Sequence, residues 1–414
     1  MSDLTLTPEQ SRRNVLASAA ACGIGFTGFT LVMPFLPLYI AELGVTDVGQ
    51  IAMWTGLTLG ATPAVTAVSA PLWGRVGDRY GSKLLVLRSL FAFVLTKGAM
   101  AFVTAPWQLF ALRALLGVFA GYGALTMSMA AESVPRERMA AAIGTVQVGQ
   151  RLGPAIGPVL GGVIAPLIGL RASFLVTAAF YLVAALFVAL VYQEPRARRA
   201  RAATRPLGEV IGELVRLPGF LLLLGVILTL QLVDRSFGPI LPLFVAELGF
   251  TPGAVPGVSG VLFSIAAVFA ALGHKVAGRL LLAHAPRSLV VTSSLGTALA
   301  ITALLLVPSV WVFAAALACG GAAIGIGMTA AYSVGGALLP KDAHATGFGL
   351  MTTASLIGLA VSPVVAGFLG KADLKVVFAA DVVLLAGLAA MTWRLMTPGQ
   401  ASPAVRAAPD GPEA

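Results

Sequence analysis

Gly74-Arg75-Val76-Gly77-Asp78-Arg79-Tyr80-Gly81-Ser82-Lys83 is a short polar break between two long apolar runs. Its spacing predicts a tight loop at a membrane surface. Glycine lets the backbone turn where a side chain would clash, Arg79 and Lys83 suit a headgroup layer, and Asp78 closes the preceding helix.

Working outward, the 414-residue chain is 58% hydrophobic and only 11% charged, against roughly 25% charged in an ordinary soluble domain. A helix needs about 20 apolar residues to cross the hydrocarbon core, and the sequence divides into about twelve such segments. The expected fold is therefore an all-α membrane protein with twelve transmembrane helices, which an internal repeat divides into two pseudo-symmetric six-helix bundles. The boundaries read as a cytoplasmic tail over 1–14, a first bundle over 15–192 and a basic linker over 193–217. A second bundle follows over 218–396, then a disordered tail over 397–414. Within the first bundle the spans are expected at 15–41, 50–73, 84–104, 108–131, 140–166 and 172–192. Those of the second are expected at 219–246, 255–278, 288–307, 311–339, 346–369 and 376–395.

Ser11-Arg12-Arg13-Asn14 imitates an export signal, but the apolar run that follows reaches about Ile40, too long for a signal-peptide core. The formal charge of +10 comes from basic residues dispersed among short loops without interleaved aromatics, which argues against nucleic acid as a partner. Arg12, Arg13, Arg75, Arg79, Lys83, the linker arginines, Arg216, Arg279, Arg287 and Arg394 fall on one side. Arg171, Lys371 and Lys375 fall on the other. The positive-inside rule then makes both termini cytoplasmic in a multi-pass protein of the cell membrane. Membrane lipids are expected partners, and a monomer the expected state. Cys22 and Cys319 lie in apolar segments, so neither a disulfide framework nor a metal site is indicated. No phosphate-binding Gly-x4-Gly-Lys-Ser/Thr motif is present, which argues against ATP as an energy source, no nucleophile, base and orienting acid assemble, and the expectation is a non-enzyme without cofactor.

The second organising signal is a repeat. Pro34-Phe35-Leu36-Pro37-Leu38-Tyr39-Ile40-Ala41-Glu42-Leu43-Gly44 recurs as Pro239-Ile240-Leu241-Pro242-Leu243-Phe244-Val245-Ala246-Glu247-Leu248-Gly249. At a similar displacement Gly74-Arg75 falls on Gly278-Arg279, and Gly153, Pro158 and Gly162 fall on Gly358, Pro363 and Gly367. Six helices repeated in parallel place a transport route at the interface between the halves. The second copy lacks the acid, Leu282 standing opposite Asp78.

These features resemble the major facilitator superfamily. Gly74, Asp78, Arg79, Gly81 and Lys83 match its loop signature Gly-x-Leu-Ala-Asp-Arg-x-Gly-Arg-Lys, while Val76, Gly77 and Ser82 depart from it. Leu109-x3-Arg113-x3-Gly117 is similar to the family's fourth-helix motif, with Leu116 in place of glutamine. Gly153-Pro154-Ala155-Ile156-Gly157-Pro158-Val159-Leu160-Gly161-Gly162 resembles the fifth-helix motif of its twelve-helix drug:proton antiporters. The resemblance implies multidrug efflux in exchange for protons by alternating access. It also implies a proton- or substrate-handling role for Arg113 and a conformational gate at Gly74, Asp78, Arg79, Gly81 and Glu132. Independently of the family, small residues at 153, 157 and 161 allow a close helix contact, and Pro154 and Pro158 permit bending.

Charged groups at membrane depth are functional suspects. Asp234 lies nearest a helix midpoint and is read as a proton-coupling carboxylate; adjacent Arg235 allows the alternative of a structural ion pair. Asp381, a few residues inside the last helix, ranks below it. Lys97, Arg113, Arg151 and Arg235 are all expected inside the membrane, which favours neutral, zwitterionic or anionic compounds over strong cations. Lys97 reads as an inter-helix partner. Gln147, Gln150, Arg151 and Pro154 share one helical face, and with Arg235, Tyr122 and Phe237 form the expected substrate cavity. An uptake symporter or facilitator for a small metabolite remains the alternative, as residues do not give transport direction.

Overall fold

The computed structural model describes residues 6–80, 82–135, 138–194, 207–340 and 344–396. Side chains at 70–72, 74–80, 124, 139–141, 207, 344 and 345 are outside that description. The expected tail over 397–414, the linker arginines, Gly81 and Arg136 lie outside the described residues, as do the side chains of Asp78 and Arg79.

The described chain is helical. In order it runs α1 (Pro8–Leu31), α2 (Leu36–Glu42), α3 (Val48–Tyr80), α4 (Ser82–Met100), α5 (Pro106–Val118), α6 (Tyr122–Glu132), α7 (Met139–Ile168) and α8 (Leu170–Val191). It continues as α9 (Leu207–Arg216), α10 (Phe220–Glu247), α11 (Val255–Ala283), α12 (Pro286–Leu306), α13 (Val310–Leu338), α14 (His344–Gly370) and α15 (Leu374–Leu395). Ten of these are long and apolar enough to cross a membrane. The two expected spans missing from that set have identifiable causes. α4 carries Lys83, Arg88 and Lys97 in its 19 residues, and the expected 108–131 span is broken into α5 and α6. Large apolar side chains face outward, among them Leu190 at 82% and Trp311 at 81% exposure. In water each would forgo about 1.5–3 kcal/mol of burial; in lipid that loss does not arise.

The chain falls into two compact units. One comprises Met1–Arg201, Gly238–Ala267 and Pro363–Asp373, the other Ala202–Phe237, Val268–Ser362 and Leu374–Ala414. In the first, α1 lies along α7, and α4 packs on α8. In the second, α12 packs on both α13 and α15.

Two local expectations are corrected. The loop expected at residues 74–83 is helix through Tyr80, with α4 beginning at Ser82. The first expected span ends early. Pro34 has no N–H for the carbonyl of Thr30, which accepts from Met33 instead at 3.1 Å, and the chain turns before α2. Its repeat partner α10 carries Pro239 and Pro242 within one continuous helix. One element was not foreseen, the helix α9 in the expected linker, whose Val210 and Leu214, one turn apart, are buried.

Candidate functional site

In the first unit, five helices, α3, α4, α5, α6 and α8, bring polar groups into the bundle core. Lys97 of α4 is 0% exposed and Arg113 of α5 1% exposed. Arg113 Nε donates to Thr58 O at 3.1 Å, and Thr62 Oγ1 donates to the carbonyl of Arg113 at 2.8 Å, fastening α5 to α3. Lys97 Nζ, Arg113 Nη1, Tyr122 Oη and Tyr181 Oη are all buried without a hydrogen-bond partner. Phe93 links the two tyrosines, its ring centroid 5.6 Å from Tyr122 and 5.1 Å from Tyr181. The Arg113 guanidinium lies 5.8 Å from the Phe29 ring, and Lys97 Nζ 6.0 Å from that of Phe174. Unpartnered polar atoms at this depth are costly, and two cations acting on each other increase the cost. Lys97, read from the sequence as an inter-helix partner, is buried with no hydrogen-bond partner for its Nζ.

Arg88, absent from the sequence reading, holds the break between α5 and α6. Gly121 has φ +106°, in the left-handed region that favours glycine, so the helix stops and restarts there. Three residues accept from outside the break. Gly117 O takes Ser69 Oγ at 3.0 Å, Val118 O takes Trp73 Nε1 at 2.6 Å, and Phe119 O takes an Arg88 guanidinium N–H at 3.0 Å. Arg88 also stacks 3.4 Å over the Trp73 ring. The freed carbonyls are thereby satisfied inside the bundle.

Of the expected gate, Glu132 is described. It accepts from Ser82 Oγ at 3.3 Å and Ser128 Oγ at 2.7 Å, tying the end of α6 to the start of α4. Lys83 caps α8, donating to Tyr192 O at 2.6 Å and Ala189 O at 3.1 Å, where a cation complements the helix end. Gly74, Asp78 and Arg79 sit on the last turns of α3 with undescribed side chains, and Gly81 lies beyond the described residues.

The glycines of α7 are contact points. A Cβ on Gly153 would lie 2.5 Å from Phe26 Cβ, one on Gly157 2.6 Å from Thr27 O, and one on Gly161 would strike Leu31 O. Pro154 and Pro158 lie inside this helix without ending it. Gly162 serves another contact, where a Cβ would lie 2.5 Å from Pro256 O of α11. On the remaining face Gln147 and Arg151 are exposed and Gln150 half-buried.

In the second unit, Arg235 Nε lies 2.9 Å from Asp234 Oδ2, at side-chain exposures of 35% and 27%. Phe237 packs with Phe313 and Phe378, centroids 6.2 and 5.5 Å away. Beside them Asp381, ranked below Asp234 on sequence, is 4% exposed and 2.5 Å from Ser236 Oγ. A lone acid eight residues into an apolar helix was the available signal. Depth along the sequence understated its burial, because the neighbouring helices enclose it.

The Major Facilitator Superfamily model matches residues 19–284 and 231–413. The chain belongs to this superfamily. It is 33% identical over 301 residues to multidrug resistance protein MdtG of Citrobacter koseri, covering 73% of each chain. To MdtG of Escherichia coli K12 it is 32% identical over 306 residues, 74% of each. Among solved major facilitator-type folds, a bacterial homologue of the human lysosomal transporter Spinster, inward-facing and occupied, aligns with TM-score 0.80 at 18% identity. That alignment covers 96% of this chain and 100% of the other. A point mutant of the nucleoside transporter NupG aligns with TM-score 0.74 at 14% identity, over 92% and 100%. The protein is therefore a multi-pass, non-enzymatic transporter of multidrug-efflux type.

Proposed function

We propose that the protein exports amphipathic small molecules from the cytoplasm across the cell membrane in exchange for protons, by alternating access. The observation that carries this reading is the similarity to MdtG over about three quarters of both chains. The close α1–α7 contact supports it, since the glycine and proline run that resembles the antiporter motif forms that contact. Both termini face the cytoplasm, as the distribution of Lys and Arg requires, and the transporter works as a monomer. Neutral, zwitterionic or anionic compounds are the favoured substrates, because among the described residues the buried ionisable side chains of the first unit with a basic or acidic head are Lys97 and Arg113, both basic. Asp234 and Arg113 handle protons. Asp234 is held by Arg235, so a substrate that draws Arg235 away leaves Asp234 free to take a proton. Asp78, Arg79 and Glu132 latch one state of the cycle.

The test begins with an efflux-deficient bacterial host and a compound panel, in which lower accumulation on expression supports export and higher accumulation rejects it. Compounds that respond are then added to reconstituted vesicles carrying a pH gradient. Gradient dissipation in wild type but not in Asp234→Asn is expected. Equilibration of a labelled compound without proton movement in either protein would replace the antiporter by a facilitator.

A further inference from the structure

A second carboxyl group has the surroundings of a proton carrier. Asp381 lies on α15, seven residues past its start, or about 10 Å along the axis at 1.5 Å per residue. It is 4% exposed, and Ser236 of α10 is its hydrogen-bond partner. Ser236 Oγ lies 2.9 Å from Val233 O and 2.5 Å from Asp381 Oδ2. A carbonyl oxygen and an ionised carboxylate can only accept, and a hydroxyl has one proton to give. Two acceptors thus compete for one hydrogen. The shortage ends if Asp381 itself bears a proton and donates it to Ser236 Oγ, leaving the serine hydroxyl to bond the carbonyl three residues back, a common arrangement for helical serine.

The charges around Asp381 point the same way. On α10 the neighbouring ionisable groups of this unit are Asp234 and Arg235, which are paired with each other. α12 contributes Arg287, whose guanidinium bonds Trp393 O and lies 4.1 Å over the Trp393 ring. Trp393 is twelve residues along α15, about 18 Å from Asp381. α13 contributes Phe313, which with Phe237 and Phe378 forms an aromatic cluster beside the acid. The titratable groups of α13 are Cys319 and Tyr332, the latter bonded to Met351 O at 3.4 Å. On α15 itself Lys375 and Arg394 stand about 9 and 20 Å away along the axis. No described cation makes an ion pair with Asp381. A buried carboxylate without a cation is strongly disfavoured against its neutral form.

We propose that Asp381, hydrogen-bonded to Ser236, is a proton-binding site of this transporter, additional to Asp234. The bound ligand is a proton: Asp–COOH releases H⁺ to water when α10 and α15 open and regains it when they close. Its use in transport rests on the proton-coupled reading above; its existence does not.

Infrared difference spectra of the purified protein in lipid, recorded between acid and alkaline pH, test the site with no transport substrate. Wild type is expected to show the carbonyl band of a protonated carboxylic acid that Asp381→Asn removes, Ser236→Ala shifts and Asp234→Asn leaves in place. A spectrum unchanged by Asp381→Asn overturns the proposal. Should that variant fail to fold, Ser236→Ala decides: an unshifted band overturns the proposal equally. In vesicles, using any compound that moves protons through wild type, Asp381→Asn is expected to pass the compound down its gradient with the proton flux at least tenfold reduced. A wild-type ratio of protons to compound would overturn the role in coupling. If wild type moves no protons with any compound, the export reading fails while the infrared assignment stands.

Discussion

Lys97 and Arg113 separate stability from function at the level of single side chains. The Lys97 amine is fully buried and unpartnered, so as a purely structural group it costs the fold more than it returns. Lys97→Met keeps the volume and removes the polar head. Its thermal unfolding midpoint in detergent is expected to equal or exceed that of wild type, by the equivalent of about 1–3 kcal/mol, while transport falls at least tenfold. A variant both less stable and fully active would show the lysine to be a packing element. These two cations, like Asp234, were legible in the sequence because a charge inside a long apolar run stands out. Arg88 was not, since Ser82, Lys83 and Ser89 make its surroundings read as a helix end. Asp381 was seen and set below Asp234; its 4% exposure was not legible, because its partner Ser236 on α10 is distant in sequence. The pairing of Asp234 with Arg235 was open as an alternative, and their adjacency was the only signal available for it.

At the level of elements, the sequence located the spans better than their interruptions. The proline pairs stand at equivalent places in both copies, yet only the first copy breaks, and nothing local in the repeat distinguishes them. The break between α5 and α6 has no proline; it depends on Gly121 together with donors from α3 and α4. Arg88→Lys tests that dependence. Lysine keeps the charge but neither the flat stacking on Trp73 nor the guanidinium geometry, so the unfolding midpoint is expected to fall by the equivalent of about 1–2 kcal/mol. Trp73→Phe, which keeps a ring but loses the donor to Val118 O, is expected to lose about 1 kcal/mol. Equal stability of both variants with wild type would mean that lipid or water satisfies the break unaided. Glycine spacing made a close contact on α7 legible, though not that α1 would be the helix to make it. There Gly157→Leu must displace Thr27 O, and overpacking of about 1–3 kcal/mol is expected, seen as a lower unfolding midpoint with transport abolished.

The repeat is the largest-scale feature that the sequence carried, and it reaches into packing. In the first unit, Gly162 of α7 approaches Pro256 and Gly257 of α11, while its repeat partner Gly367 of α14 approaches Ala52 and Gly56 of α3. A Cβ would meet a carbonyl oxygen at 2.5 Å in the first contact and 2.6 Å in the second. Moreover, the two oxygens belong to Ala52 and Pro256, 204 residues apart, the displacement that also sets Gly74 on Gly278, so a like contact is made twice with different side chains around it. Nothing in the sequence indicated which helix each glycine would meet, because that depends on how the spans assemble. If both contacts obey the same geometric limit, Gly162→Leu and Gly367→Leu should cost similar stability, about 1–3 kcal/mol each. Because the two sites share no partner, the double variant should lose the sum within about 0.5 kcal/mol. Thermal unfolding of the three variants in one detergent measures this. A loss confined to one glycine would mean that the duplicated sequence no longer imposes duplicated packing. A double variant far less stable than the sum would mean that the two contacts report on one cooperative element, so that disturbing either is felt at the other.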